Sequence, residues 1–132
     1  MSLSARVNYV ANLMSRLNAL GLPASVLSAF RAMGASIAVD IADGPLSVGT
    51  IMAAASAAAV VTTVALNWDV VSPKLNQISR AFQVTFSEAA SNISSAFSKI
   101  KTEAKKEAEK KEKAKEQKYN KAKKDAKLQI IT

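Results

Sequence analysis

Two carboxylates near the middle of the chain, Asp40 and Asp43, are the residues best spaced for chemistry. Residues three apart share one side of a helix, and paired carboxylates can bind a metal ion or transfer protons. Here they come just before Gly44 and Pro45, where a helix is expected to end. We therefore interpret them as capping and solvated residues.

The chain has no cysteine and no histidine. It therefore lacks the usual thiol nucleophile, the commonest general base and the common zinc ligands. The four glycines stand singly, without the spacing of a phosphate-binding loop. We predict that the protein is not an enzyme and has no catalytic residues, no cofactor, no metal site and no small-molecule substrate.

Lysine supplies the most prominent chemistry of the sequence. Residues 99–127 hold 13 Lys against five Glu and one Asp, a net charge of +7, whereas the rest of the chain carries +1. Such a segment is consistent with a solvated charged helix, with attraction to anionic lipid or with non-specific nucleic-acid binding through phosphates. The segment has no Arg and a single aromatic residue, Tyr119, which makes nucleic acid the less favoured partner. The lysines considered are Lys105, Lys106, Lys110, Lys111, Lys113 and Lys115.

The elements that position these residues are predicted to be all helical. With 132 residues, four Gly and three Pro, the chain fits one helix-rich domain with an appendage. We predict an all-α fold of three short helices, one of them strongly apolar, and one long helix with a basic C-terminal extension. The apolar helical domain is expected at 1–98 and the Lys/Glu-rich helical tail at 99–132.

The third predicted helix, at 46–66, determines the functional interpretation. It lies within a run from 44 to 68 that has no charged residue. Gly49, Ala53 and Ala57 form a stripe of small residues, which lets two helices approach closely. Val61 and the other bulky residues lie on several sides, and a helix that is apolar all round is expected to be buried on all sides, in protein or in lipid.

Its length of about 20 residues is enough to span a bilayer, but its Ala, Ser and Thr content makes insertion marginal. A buried helix in a small antiparallel bundle is the alternative. If the helix inserts, the lysine-rich tail should stay cytoplasmic and Trp68 should lie at the membrane interface. Otherwise Trp68 is a core or helix-end aromatic residue.

The fourth helix is predicted to run from about Pro73 into the tail. Apolar residues recur at spacings of three and four, in an eleven-residue repeat that follows one side of a helix. We expect them to form the seam of a bundle or of an oligomer. They are Leu75, Ile78, Phe82, Phe86, Ile93, Phe97 and Ile100.

The stretch from about 48 to 127 resembles two families. An Ala-rich apolar helix, then "ALNWDVV", then "ISRAFQVTFSEAASNISSAFSKIKTEAKKEAEKK" is similar to membrane-active regions of phage tail tape-measure proteins. It also resembles the apolar segments before the toxin module of large secreted bacterial toxins. The chain is far shorter than either family and has no toxin module. The resemblance implies a helical, membrane-engaging or delivery role in a bacterium or phage.

These observations predict a non-enzymatic, membrane-engaging helical protein that self-associates. One alternative is a structural subunit of a virion, filament or delivery machine, located in a virion or secreted assembly, with the apolar helix buried between copies. A second alternative is a protein that associates with nucleic acid through the lysine-rich tail.

Overall fold

The computed structural model describes residues 2–43, 46–84 and 87–131, and every regular element in these ranges is helical. The predicted all-α class is confirmed. The elements are α1 (Leu3–Ala19), α2 (Ala24–Asp43), α3 (Val48–Ala57), α4 (Val60–Leu66), α5 (Trp68–Val71), a 3-10 turn (Ser72–Lys74), α6 (Leu75–Phe82) and α7 (Ser87–Ile131).

Serine side chains begin two of these helices. The Ser2 hydroxyl accepts the Ala5 amide at 3.1 Å at the start of α1. Ser47 accepts the Thr50 amide at 3.1 Å at the start of α3. Each bond satisfies one of the amides that have no partner within the first turn.

Gly21 and a lysine from a distant part of the chain close the other end of α1. Gly21 has a φ of 64°, which glycine adopts without steric cost. The Lys74 ammonium donates to the Leu20 carbonyl at 2.8 Å, which places a cation at the negative end of the helix. The connection from α1 to α2 is therefore held by the segment before α6.

Three phenylalanines from three helices form the centre of the core. The rings of Phe82 and Phe97 have centroids 5.2 Å apart, and Phe30 lies 6.0 Å from Phe82 and 6.2 Å from Phe97. Aromatic pairs at these distances add to the stability that burial alone provides. The surrounding fully buried side chains are Leu13, Leu17, Val26, Met33, Ile37, Ile51, Val60, Val64, Ile78, Ile93 and Ile100.

Helices α1 and α2 approach closely at Gly34. A Cβ atom at this position would overlap the side chain of Leu13, which is fully buried. The glycine therefore serves the contact between the two helices, since its backbone conformation is one that any residue adopts in a helix.

The predicted single apolar helix at 46–66 is wrong. Helices α3 and α4 are bent by 62° relative to each other, because Ala59 between them has φ 55° and ψ 36°, in the left-handed region. The Ala59 carbonyl accepts both the Thr63 amide, at 3.0 Å, and the Thr63 hydroxyl, at 2.8 Å. On either side of the bend, α3 and α4 each pack on both α2 and α7.

The predicted continuous helix from Pro73 into the tail is also wrong. Helix α6 ends at Phe82, and Gln83 is extended, with φ −64° and ψ 148°. Helix α7 follows as a separate helix, and α6 packs against it. The predicted seam residues Leu75, Ile78, Phe82, Ile93, Phe97 and Ile100 are all buried, but they come from two helices that face each other. Phe86 of the predicted seam lies outside the described residues.

Helix α7 has 45 residues, which corresponds to about 68 Å. Its buried side extends through Ile100 to Ala104, with Ala108 half-buried, so the bundle reaches beyond the boundary predicted at residue 98. Every side chain from 109 to 127 is exposed. We call residues 109–127 the free part of α7.

Candidate functional site

The carboxylates considered for chemistry are not assembled into a site. Asp40 is half-buried, and the side chain of Asp43 lies outside the described part. Among the residues that the structure describes, no group of three or more Asp or Glu side chains is placed to hold a metal ion. The molecule therefore offers two surfaces, one uncharged and one basic, as candidates for function.

The uncharged surface is the outer side of α3 and α4. Gly49, Ala53 and Ala57 are all exposed, so the expectation that this segment is buried on all sides does not hold for the folded bundle. The buried side of α3 is instead formed by Ile51, Ala54 and Ala55. We call the exposed, charge-free side of this segment the neutral face. Its members are Gly49, Ala53, Ser56, Ala57, Ala59, Thr62 and Leu66.

The neutral face ends beside α7 in a patch of two exposed apolar residues, Leu66 and Val70, that also carries the exposed carboxylate of Asp69. Leu66 is 65% exposed and Val70 is 49% exposed, whereas Trp68 between them is half-buried against the core. A groove separates this patch from Ala108 and Lys115 of α7. Val61 is half-buried as well. Trp68 is the first residue of the short helix α5. Its side chain packs against the core and also lines the groove.

Two elements of the bundle have the length and composition of a membrane span. The first is Ala24–Ile41 in α2, of 18 residues, of which 39% are buried. The second is α3 together with α4, if the bent pair is counted as one span. Core helices of soluble proteins have the same properties, so this observation is compatible with both interpretations.

The basic surface is the outer part of α7. Lys105, Lys106, Lys110, Lys111, Lys113 and Lys115 are all exposed, as is every lysine up to Lys127. The structure places them along one helix. The basic surface meets one end of the neutral face, where Lys111 and Lys115 line the groove beside Leu66.

Three basic residues of the bundle, in contrast, donate hydrogen bonds to protein oxygens. Besides Lys74, the Arg31 guanidinium donates to the Asn18 side-chain oxygen at 2.6 Å, and Arg16 donates to the Arg80 carbonyl at 3.5 Å. These side chains connect helices. Most of the positive charge lies in α7, since 13 of the 18 basic residues of the chain fall within 99–127.

The most strongly perturbed ionisable group that we find is structural. The Tyr9 hydroxyl donates to the Phe82 carbonyl at 2.8 Å, at the last residue of α6. Burial raises the pKa of Tyr9 well above its ordinary value of 10.0. The neutral hydroxyl is the form that makes this hydrogen bond, so Tyr9 secures the end of α6 rather than taking part in proton transfer.

No protein-family model matches the chain, and neither does any curated protein or solved structure. The resemblance to tape-measure proteins and secreted toxins stays a prediction. A functional proposal for this chain must come from its own surfaces.

Sequence reasoning identified the lysines and the small-residue stripe but missed the neutral face as an exposed surface. It also missed that α2 has the length and composition of a membrane span. The signal for α2 was present, since residues 24–41 contain only Arg31 and Asp40 as charged residues. No signal in the sequence marked the bend at Ala59, where a glycine would be the usual residue.

Proposed function

We propose that the protein is a non-enzymatic, membrane-engaging helical protein. In this proposal α3 and α4 contact the lipid through the neutral face, and the lysines of α7 hold the molecule at an anionic, cytoplasmic membrane surface. The proposal depends on one observation. The bundle has a complete core, and the seven exposed residues of its neutral face carry no charge.

Physical chemistry supports a lipid partner for this face. Entry of a charged side chain into a bilayer is costly, and the run from 44 to 68 has none. Thr63, beside this face, already donates its hydroxyl to the Ala59 carbonyl, which lowers the cost of bringing this polar side chain near lipid. Lysines beside an anionic leaflet each add attraction.

The test uses the absence of cysteine from the chain. A fluorophore is attached to the single-cysteine variant Ala53→Cys, and vesicles of phosphatidylcholine mixed with phosphatidylserine carry a quencher in their acyl chains. The control is Asn76→Cys, exposed on α6 away from the neutral face. We expect quenching at position 53 and not at position 76. Bound protein with equal, weak quenching at both positions would contradict the proposal.

A second variant separates lipid contact from folding. Ala57→Glu places a charge on an exposed position, so the free energy of unfolding should change by less than about 0.5 kcal/mol. Quenching at position 53 should nevertheless be lost, because the carboxylate resists entry into lipid. Unchanged quenching would show that the neutral face stays outside the bilayer.

The exposed small-residue stripe favours one alternative, a self-assembling structural subunit. Gly49, Ala53 and Ala57 would let the same face of a second copy approach closely. That function predicts concentration-dependent assembly without lipid, measured by analytical ultracentrifugation and abolished by Ala57→Glu. The membrane proposal predicts a chain that is monomeric in water at the concentrations at which it binds vesicles.

A further inference from the structure

The lysines of α7 are not spread evenly around the helix. Five of them follow one side, at spacings of seven, four, three and eleven residues, which keep to one side at 3.6 residues per turn. Gln117 occupies the position in the gap of eleven. All five are exposed. We call this set the outer row: Lys99, Lys106, Lys110, Lys113 and Lys124.

One acidic residue, Glu103, lies on the side of the outer row: it follows Lys99 by four residues, precedes Lys106 by three, and lines one surface hollow with both lysines. The other acidic residues between Lys99 and Lys124 fall on the other sides of the helix, where they alternate with the remaining lysines. The outer row therefore presents five positive charges beside a single negative charge over about 38 Å. The acidic residues on the other sides are Glu107, Glu109, Glu112 and Glu116.

The outer row also points away from the bundle. Ile93, Phe97, Ile100 and Ala104 are buried and define the side of α7 that packs. The outer row lies roughly 140° around the helix axis from them. Lys99 stands beside buried Ile100 and is nevertheless exposed, so the bundle leaves the whole row open.

We propose that the outer row is the surface by which the protein lies on an anionic bilayer, a proposal that rests on the membrane-engaging function above. A flat lipid surface can touch all five ammonium groups of a straight helix at once. On the other sides of α7 glutamates alternate with the lysines, which weakens attraction to the phosphates on both walls of a nucleic-acid groove. The absence of Arg from 99–127 further favours lipid headgroups.

The chain offers a closely matched control for this proposal. The outer-row variant replaces its five lysines with Gln. The control variant replaces five other exposed lysines of the same helix with Gln. Both variants lower the net charge from +8 to +3, and the two sets have nearly the same mean position along α7. The control set is Lys101, Lys105, Lys111, Lys115 and Lys118.

The measurement is co-sedimentation of the full chain with vesicles of phosphatidylcholine alone or mixed with phosphatidylserine, at low salt. We expect the outer-row variant to bind phosphatidylserine vesicles at least about tenfold more weakly than the control variant. The control lysines lie up to a helix diameter, roughly 10 Å, farther from the lipid. That distance is about one Debye length at 0.1 M salt. Far-UV circular dichroism checks that both variants keep the helix.

Equal losses in the two variants would overturn the outer row as the contact surface, while binding by the unaltered chain would leave the proposed function standing. If binding depends on the outer row but the fluorophore at position 53 is not quenched, the outer row is the contact surface and the neutral face does not contact lipid. Tighter binding to duplex DNA than to phosphatidylserine vesicles at the same salt would overturn the proposal in favour of nucleic acid.

Discussion

Up to Ala108, α7 packs Ile93, Phe97 and Ile100 into the bundle, whereas from 109 to 127 every side chain is exposed. The helix continues through this change without a break. Its first part is held by tertiary packing, which supplies most helix stability in proteins. Its free part depends on residues of high helix propensity, since Ala, Glu, Lys and Gln make up most of it.

The difference indicates that one helix serves two purposes. The packed part belongs to the core and tolerates little change, whereas the free part carries charge into solvent and tolerates much. Substitutions in the two parts should therefore differ in their effect on the stability of the bundle, even where the residue types are the same.

The largest difference is expected between two aromatic residues of α7. Phe97→Ala removes a ring from the three-phenylalanine cluster and should cost about 3–5 kcal/mol of unfolding free energy. Tyr119→Ala in the free part, where the side chain is 68% exposed, should cost less than about 0.5 kcal/mol. Urea denaturation followed by circular dichroism measures both. Similar costs at the two positions would show that the free part packs.

A smaller effect is expected at the contact between α1 and α2. Gly34→Ala would press a methyl group into Leu13 and should cost about 1–3 kcal/mol, as overpacking of cores does. Gly49→Ala on the neutral face would place its methyl group 3.8 Å from the Ser47 hydroxyl oxygen, an ordinary contact, and should be neutral or stabilise by a few tenths of a kcal/mol. If Gly34→Ala raised stability, the packing of the bundle would be looser than described here.

Within α7, the effect of replacing Ala with Gly can be compared directly at two sites ten residues apart. Ala104→Gly, at a fully buried position, should lower the unfolding free energy by about 1–2 kcal/mol. Ala114→Gly, at an exposed position, should reduce the helical circular-dichroism signal while leaving the urea midpoint of the bundle unchanged. A lower midpoint for Ala114→Gly would mean that the free part supports the bundle after all.

The smallest effect concerns Tyr9 and alkaline pH. Since burial raises the pKa of Tyr9 in the folded chain, its contribution to stability is complete below the unfolded value of about 10. That contribution falls as pH rises above this value, because only the unfolded chain then loses the proton. Tyr9→Phe should cost about 1 kcal/mol at neutral pH and should remove this part of the alkaline loss. An identical pH dependence in both proteins would exclude Tyr9 as its source.

The sequence was sufficient for the parts of the fold that depend on local pattern. The all-α class, the first two helices and the burial of most of the seam follow from periodicity and from Gly21 and Pro23. The break before α7 also had a local signal, since Thr85-x-x-Glu88 has the pattern of a helix start. The eleven-residue repeat continued across this break and concealed it.

The neutral face could not be predicted in the same way. A segment without charges is compatible with burial on every side, and Ala59 adopts a left-handed conformation that a non-glycine residue takes only when its surroundings require it. The segment bends where α3 and α4 both pack on α2 and α7. That packing involves residues far apart in the chain, which local periodicity does not report.

Amide hydrogen exchange of the full chain, with and without phosphatidylserine vesicles, tests the account most directly. In water we predict slow exchange in α7 up to Ala108 and fast exchange from 109 to 127. Vesicles should slow exchange in the free part and in α3 and α4. Unchanged exchange in these segments when the vesicles are added, or equal protection along all of α7 in water, would contradict the account.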